Sequence, residues 1–127
     1  MVPASYPDDV RYHAEHDWAR IEGEQATFGI TWYAQDQLGE VVFVEAPEVG
    51  STVAAGQPYA EVESVKAVSD IIAPMSGEVV EVNGELSGTP EVINDDPYGA
   101  GWLVRVSLSA PAEADHLLDA EGYQASL

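Results

Sequence analysis

Hydrophobic positions along the 127-residue chain come in short runs, broken by Gly, Pro, Asn and Asp rather than by long polar stretches. That pattern predicts a mainly β protein with small helical additions. "WARIEGEQATFGI" reads as two strands joined around Gly23. "TWYAQDQLGE" moves to a helical period: Thr31 is placed to cap, Ala34 and Leu38 share a face and Gly39 stops the run, so a short helix is expected over 31–38. "VVFVEAPEVG" is a strand that runs into a Pro/Gly turn, and "PYAEVES" and "AVSDII" are strands on either side of Lys66. "GEVVEVN" and "GWLVRVSL" are two more, the last with Val104 and Val106 alternating against Arg105 and Ser107. Pro111 and the later pair Leu117 and Leu118 predict a terminal helix over about 111–120. No linker or low-complexity tract intervenes, and the length suits one sizeable core, so a single domain over 1–127 is expected.

An internal echo refines this picture. "VEAPEVGSTV" at 44–53 and "IIAPMSGEVV" at 71–80 share A-P-x-x-G-x-x-V, through Ala46, Pro47, Gly50 and Val53 and then Ala73, Pro74, Gly77 and Val80. Pro/Gly turns recur in β proteins by chance. Read structurally, the copies are two strand–turn–strand units related by a pseudo-twofold, with Lys66 in the connection between them, exposed at a hairpin tip.

Charge narrows the partners. Four basic residues (Arg11, Arg20, Lys66, Arg105) against 23 acidic ones give a net charge of −19. Nucleic acid and anionic membrane are excluded as partners by repulsion. Two readings stay open: solubility or adaptation to salt, and docking on basic surfaces of other proteins. No run approaches the roughly 18 apolar residues that cross a bilayer. "MVPASYPDDVRYHAEHDW" lacks the basic start and apolar core of a secretory signal, so a soluble, cytoplasmic protein is expected. The absence of cysteine removes disulfides, thiolate metal sites and cysteine nucleophiles together.

Lys66 is the chain's only lysine. A Schiff-base role needs a depressed pKa, whereas Glu61, Glu63 and Asp70 favour the ammonium form. A phosphate-binding role needs a Gly-rich loop leading into a helix, and none is present. Attachment of an acyl group needs only exposure, a fixed turn and a readable shape, which the small flanks Ser64 and Ala67 suit. His13, His16 and His116 have no metal-ligand spacing and read as surface or capping residues, His16 being the strongest candidate for a functional contact. "NDDP" at 94–97 lacks the alternating acids of a calcium loop and reads as a turn. Trp18, Trp32 and Trp102 read as core aromatics.

"ESVKAVSDIIAPMSGEVVEVN" resembles the lipoylation hairpin of the glycine cleavage H-protein family. "HDWARIEG", "GITWYAQDQLGEVVFVEAPEVG" and "INDDPYGAGWLVRV" resemble that family's segments in the same order, covering about residues 11 to 107. Biotinyl domains have methionines beside their lysine, which Lys66 does not. Lipoyl domains of 2-oxo acid dehydrogenases lack the "GITWYAQDQLG" and "NDDPYGAGW" elements.

The resemblance implies a flattened barrel-sandwich hybrid fold and a carrier that is not itself an enzyme. Lipoate would be joined covalently to Lys66, within a hairpin over 60–72. Glu63, Ser64, Val65 and Ala67 would be read by the lipoate-attaching enzyme. The implied partners are glycine decarboxylase (P protein), the aminomethyltransferase (T protein) and dihydrolipoamide dehydrogenase (L protein), visited by a monomer. An aminomethyl group would pass from the first to the second, and the dithiol to the third. A pocket for the loaded arm is implied at Glu15, Asp17, Gln37 and Asp70. The family often has Glu where Asp17 stands, and some members have His where Gln37 stands. An alternative is a relay that donates lipoyl groups to other lipoate-dependent enzymes; a third reading is an unmodified acidic interaction protein.

Overall fold

The computed structural model describes residues 3–127. Its strands are β1 (Arg11–His13), β2 (Asp17–Glu22), β3 (Gln25–Ile30), β4 (Val41–Glu45), β5 (Thr52–Val53), β6 (Pro58–Ser64), β7 (Val68–Ile72), β8 (Gly77–Val82) and β9 (Val104–Leu108). Three helices join them: α1 (Trp32–Leu38), α2 (Val92–Asp95) and α3 (Ala120–Ala125). Two antiparallel sheets result, one ordered β1-β2-β3-β9-β8-β5 and the other β4-β6-β7. This is the two-sheet architecture expected, in an open form rather than a closed barrel.

Alternation along the strands builds the core. Phe28, Ile30, Val41, Val62, Val79, Val104 and Val106 are buried together between the sheets. A second cluster of Val10, Tyr12, Trp18, Tyr98, Ala120 and Tyr123 joins the ends of the chain to the outer strands. Trp18 packs so closely on β3 that a Cβ on Gly29 would stand 2.5 Å from its ring, and its indole N–H donates to Pro97 O at 3.0 Å. Trp32 and Trp102 are half-buried at the edge of that cluster.

The internal echo corresponds to a pairing. β4 and β7 are the equivalent strands of the two copies, and both flank β6. The second halves of the copies pair with each other: Thr52 opposes Glu78, Val53 opposes Gly77, and Gly50 N–H donates to Val79 O at 2.8 Å. Lys66 lies in the β6–β7 turn.

The tail departs from expectation. Instead of one helix over 111–120, a 3-10 helix spans Pro111–His116, Leu117 is extended, and α3 begins at Ala120. Leu118 breaks the run by pairing with β1, exchanging hydrogen bonds with Tyr12 at 2.8 and 2.7 Å. Asp119 then starts a new helix as its N-cap, accepting from Gly122 N–H at 2.7 Å. Among the described residues no helix is long and apolar enough to cross a membrane.

Candidate functional site

The β6–β7 register sets Glu63 opposite Val68 and leaves Val65, Lys66 and Ala67 as the turn. Ser64 organises that turn. Its N–H donates to Ala67 O at 2.7 Å, and its buried Oγ accepts from Ala67 N–H at 3.1 Å and Lys66 N–H at 3.3 Å. Hydroxyl groups close turns in this way. Val65 N–H donates to Glu40 O at 3.0 Å, which ties the tip to the segment that follows α1.

The Lys66 stem rests over the end of α1, where a Cβ on Gly39 would stand 3.4 Å from its Cε. Gly39 adopts φ 80° and ψ −158°, a region essentially open only to glycine. Asn94 braces this seat from behind. Its Nδ2 donates to Gly39 O at 2.8 Å and Gln35 Oε1 at 3.0 Å, and its Oδ1 accepts from Val41 N–H at 2.9 Å. The "NDDP" turn thus begins in α2, and no group of its acids is arranged to hold a metal among the described residues. The amine itself is exposed and, among the described residues, in no ion pair.

Replacing Ser64 by alanine leaves the Lys66 and Ala67 amides without their acceptor. A loss of about 1 kcal/mol is expected at the tip. Amide exchange at 66 and 67 should rise about fivefold while β8 and β9 keep their protection; unchanged exchange would show that the backbone alone holds the turn.

Beside the tip lies a cavity of about 300 Å³. All four residues expected at an arm pocket, Glu15, Asp17, Gln37 and Asp70, line it, together with Ala67 from the hairpin. Ile30, Leu38 and Ile71 give it apolar walls. Glu15, Gln37 and Asp70 are exposed, whereas Asp17 is only 1% exposed and its Oδ2 has no hydrogen-bond partner among the described residues. Burial raises its pKa well above the usual carboxylate range, and the Glu15 charge adds to the shift. The Tyr59 hydroxyl is also buried with no hydrogen-bond partner among the described residues, its pKa raised by burial and then by Asp17.

A wider hollow of about 750 Å³ borders Gly39 on another face of α1. Asp36, Glu40, Glu91 and Asp95 line it and no hydrophobic residue does, so it suits an aliphatic chain less well than the smaller cavity. The smaller one combines aliphatic walls with a carboxyl oxygen that has no hydrogen-bond partner among the described residues, a lining complementary to an amphipathic chain with a cationic end.

Sequence reasoning missed how the cavity rim is made. The β1–β2 loop consists of Ala14, Glu15 and His16, and His16 has φ 73°, the left-handed conformation that three-residue hairpin loops demand at this place. His16 also lines the cavity, and burial lowers its pKa against the opposing Glu15. His13 acts within its own turn, accepting from Glu15 N–H at Nδ1 at 3.0 Å. His116 is exposed in the 3-10 segment.

The family model described as glycine cleavage H-protein matches residues 10–127. The glycine cleavage system H protein of Symbiobacterium thermophilum is 56% identical over 122 residues, which cover 96% of this chain and 95% of that protein. The corresponding protein of Rubrobacter xylanophilus is 58% identical over 120 residues, covering 94% of this chain and 93% of the relative. A crystal structure of a glycine cleavage system H protein from Mycobacterium marinum superposes with a TM-score of 0.86 at 46% identity, covering 95% of this chain and 99% of that one.

Proposed function

The chain belongs to the glycine cleavage H-protein family, and on that premise we propose that Lys66 is where it carries a covalent lipoyl group. Its role is the lipoylated shuttle of glycine cleavage. The observation that carries the assignment to Lys66 is an exposed amine, in no ion pair among the described residues and the only ε-amine in the chain, on a tip pinned by Ser64 and Glu40.

Joined as an amide to Nζ, the lipoyl group supplies a reversible disulfide at the end of a flexible tether, which takes up and gives up a one-carbon amine. What this chain contributes is presentation and shelter. Ser64 fixes the direction of the tip, and Gly39 leaves room for the stem. Ile30, Leu38 and Ile71 exclude water from one side of the cavity, and Asp17 holds an oxygen ready for an ammonium group. Glu63 and the 67%-exposed Val65 offer the lipoate-attaching enzyme a polar and an apolar handle.

The partners in this reading are glycine decarboxylase, the aminomethyltransferase and dihydrolipoamide dehydrogenase. They are visited in the cytoplasm by a monomer with no catalytic activity of its own. A tethered cargo reaches each of them at high effective concentration. The charge of −19 favours partner surfaces that are basic. Raising salt from about 0.1 to 1 M shortens the Debye length from about 10 to 3 Å. The KM for this carrier should therefore rise steeply with salt while kcat holds. A salt-independent KM would leave the acidity a matter of solubility.

Intact mass measurement on protein from its native source, followed by peptide mapping, tests the assignment. A lipoyl increment on Lys66 is expected. A biotin increment, or an unmodified Lys66 in cells that lipoylate their other carriers, overturns it.

A further inference from the structure

The left-handed turn at His16 is held from four sides. Its N–H donates to His13 O at 2.9 Å, and its carbonyl accepts from Thr31 N–H at 3.1 Å. Its ring lies against Tyr33 with centroids 4.6 Å apart, and its Nδ1 meets the Tyr123 hydroxyl at 2.8 Å. A non-glycine residue in this conformation is strained, and such strain persists only where surrounding contacts over-determine it. The strained residue stands between Glu15 and Asp17, two of the acids of the cavity.

Tyr123 reaches this place from α3, far along the chain. It is fully buried, stacked on Tyr12 at 4.7 Å with planes 10° apart, and its hydroxyl also meets Thr31 Oγ1 at 2.8 Å. Thr31 caps α1, accepting from Ala34 N–H at 3.1 Å. One oxygen therefore joins the β1–β2 turn, which supplies Glu15 and leads into Asp17, to the start of α1, the helix that supplies Tyr33, Ala34, Gln37 and Leu38 to the cavity wall. The hydrogens run one way along this bridge. With neutral His16 accepting at Nδ1, the Tyr123 hydroxyl donates to it and accepts from Thr31, which in turn accepts from the helix.

We propose that Tyr123 is a positioning residue for the arm cavity, its hydroxyl holding the acid-bearing turn and α1 at a fixed spacing so that the cationic cargo stays sheltered. The proposal rests on the cavity reading given above. Tyr123 touches neither the cargo nor Lys66; it acts through His16 and Thr31.

The test compares wild type, Tyr123→Phe and His16→Asn. Phenylalanine keeps the stacked ring and removes the oxygen; asparagine tolerates the left-handed turn and breaks the bridge from the other side, leaving α3 untouched. Amide exchange is measured on the unlipoylated proteins. The rate at which the aminomethyl cargo is lost to water is measured on the lipoylated, loaded ones. Both variants should exchange faster at His16 and Thr31, with Tyr12 and Leu118 still protected, and both should lose cargo about three- to tenfold faster, the effect of one buried hydrogen bond. Lipoylation of Lys66 in Tyr123→Phe should match wild type. Unchanged cargo loss in either variant overturns the proposal while the cavity reading survives. Exchange that spreads to Tyr12 and Leu118 overturns it in favour of general loosening. If wild type protects its cargo no better than free dihydrolipoamide does, the cavity reading and the proposal both fail.

Discussion

Lys66→Arg is expected to abolish carrier function while leaving the fold intact. The guanidinium preserves the charge and much of the length of the side chain, but its delocalised nitrogens do not form the amide. No second ε-amine exists to be modified in its place. The side chain is exposed and unpaired among the described residues, so the change in stability should stay within about 0.5 kcal/mol. Intact mass should show no lipoyl increment, melting should match wild type, and glycine cleavage reconstituted with the variant should fall to background. Undiminished turnover would return the chain to the class of acidic interaction proteins.

Asp17→Asn has the second largest expected effect, and it acts in opposite directions on stability and on shelter. The folded pKa of Asp17 is raised, chiefly by burial. Below the ordinary carboxylate value of 3.8 both folded and unfolded chains hold the proton, and burial carries no penalty. As pH climbs from there towards the raised value, the unfolded chain has released its proton while the folded chain retains it, so stability falls. Above the raised value the penalty is constant. Asparagine cannot titrate, so the variant should be more stable than wild type at neutral pH, with the difference vanishing on acidification. Thermal melts from about pH 3 to 8 would show the two curves converging at the acid end. Shelter should move the other way. Loss of a charge-assisted hydrogen bond, about 1.5–3 kcal/mol, should shorten the life of the bound cargo about ten- to a hundredfold. A variant that is less stable than wild type at neutral pH would mean that the carboxylate finds a partner in solution.

The local features were legible in the sequence. Thr31 and Gly39 bracket α1 because caps are decided by neighbouring backbone groups, and the Lys66 hairpin follows from alternation on both sides of a turn. What escaped depends on distant partners. Leu118 leaves the tail's helix because Tyr12, more than a hundred residues earlier, offers it a bridge. Asp119, a good capping residue by type, was hidden behind the leucine pair that suggested an uninterrupted helix. Asn94 looked like turn material, and its three bonds to α1 and β4 have no trace in local spacing. Only the family resemblance groups Glu15, Asp17, Gln37 and Asp70 in the sequence. Their convergence on one cavity comes from the β1–β2 loop, β2, α1 and β7 meeting in space.

The anchoring of the hairpin to the end of α1 has a consequence for traffic. Val65 bonds to Glu40, the Lys66 stem lies on Gly39, and α1 also forms a wall of the cavity. Pivot and harbour thus share the support of α1. On the proposed reading, every visiting enzyme must approach the same berth over the face that holds both. Two cannot moor together, and the order of events in the cycle is set by departure as much as by arrival.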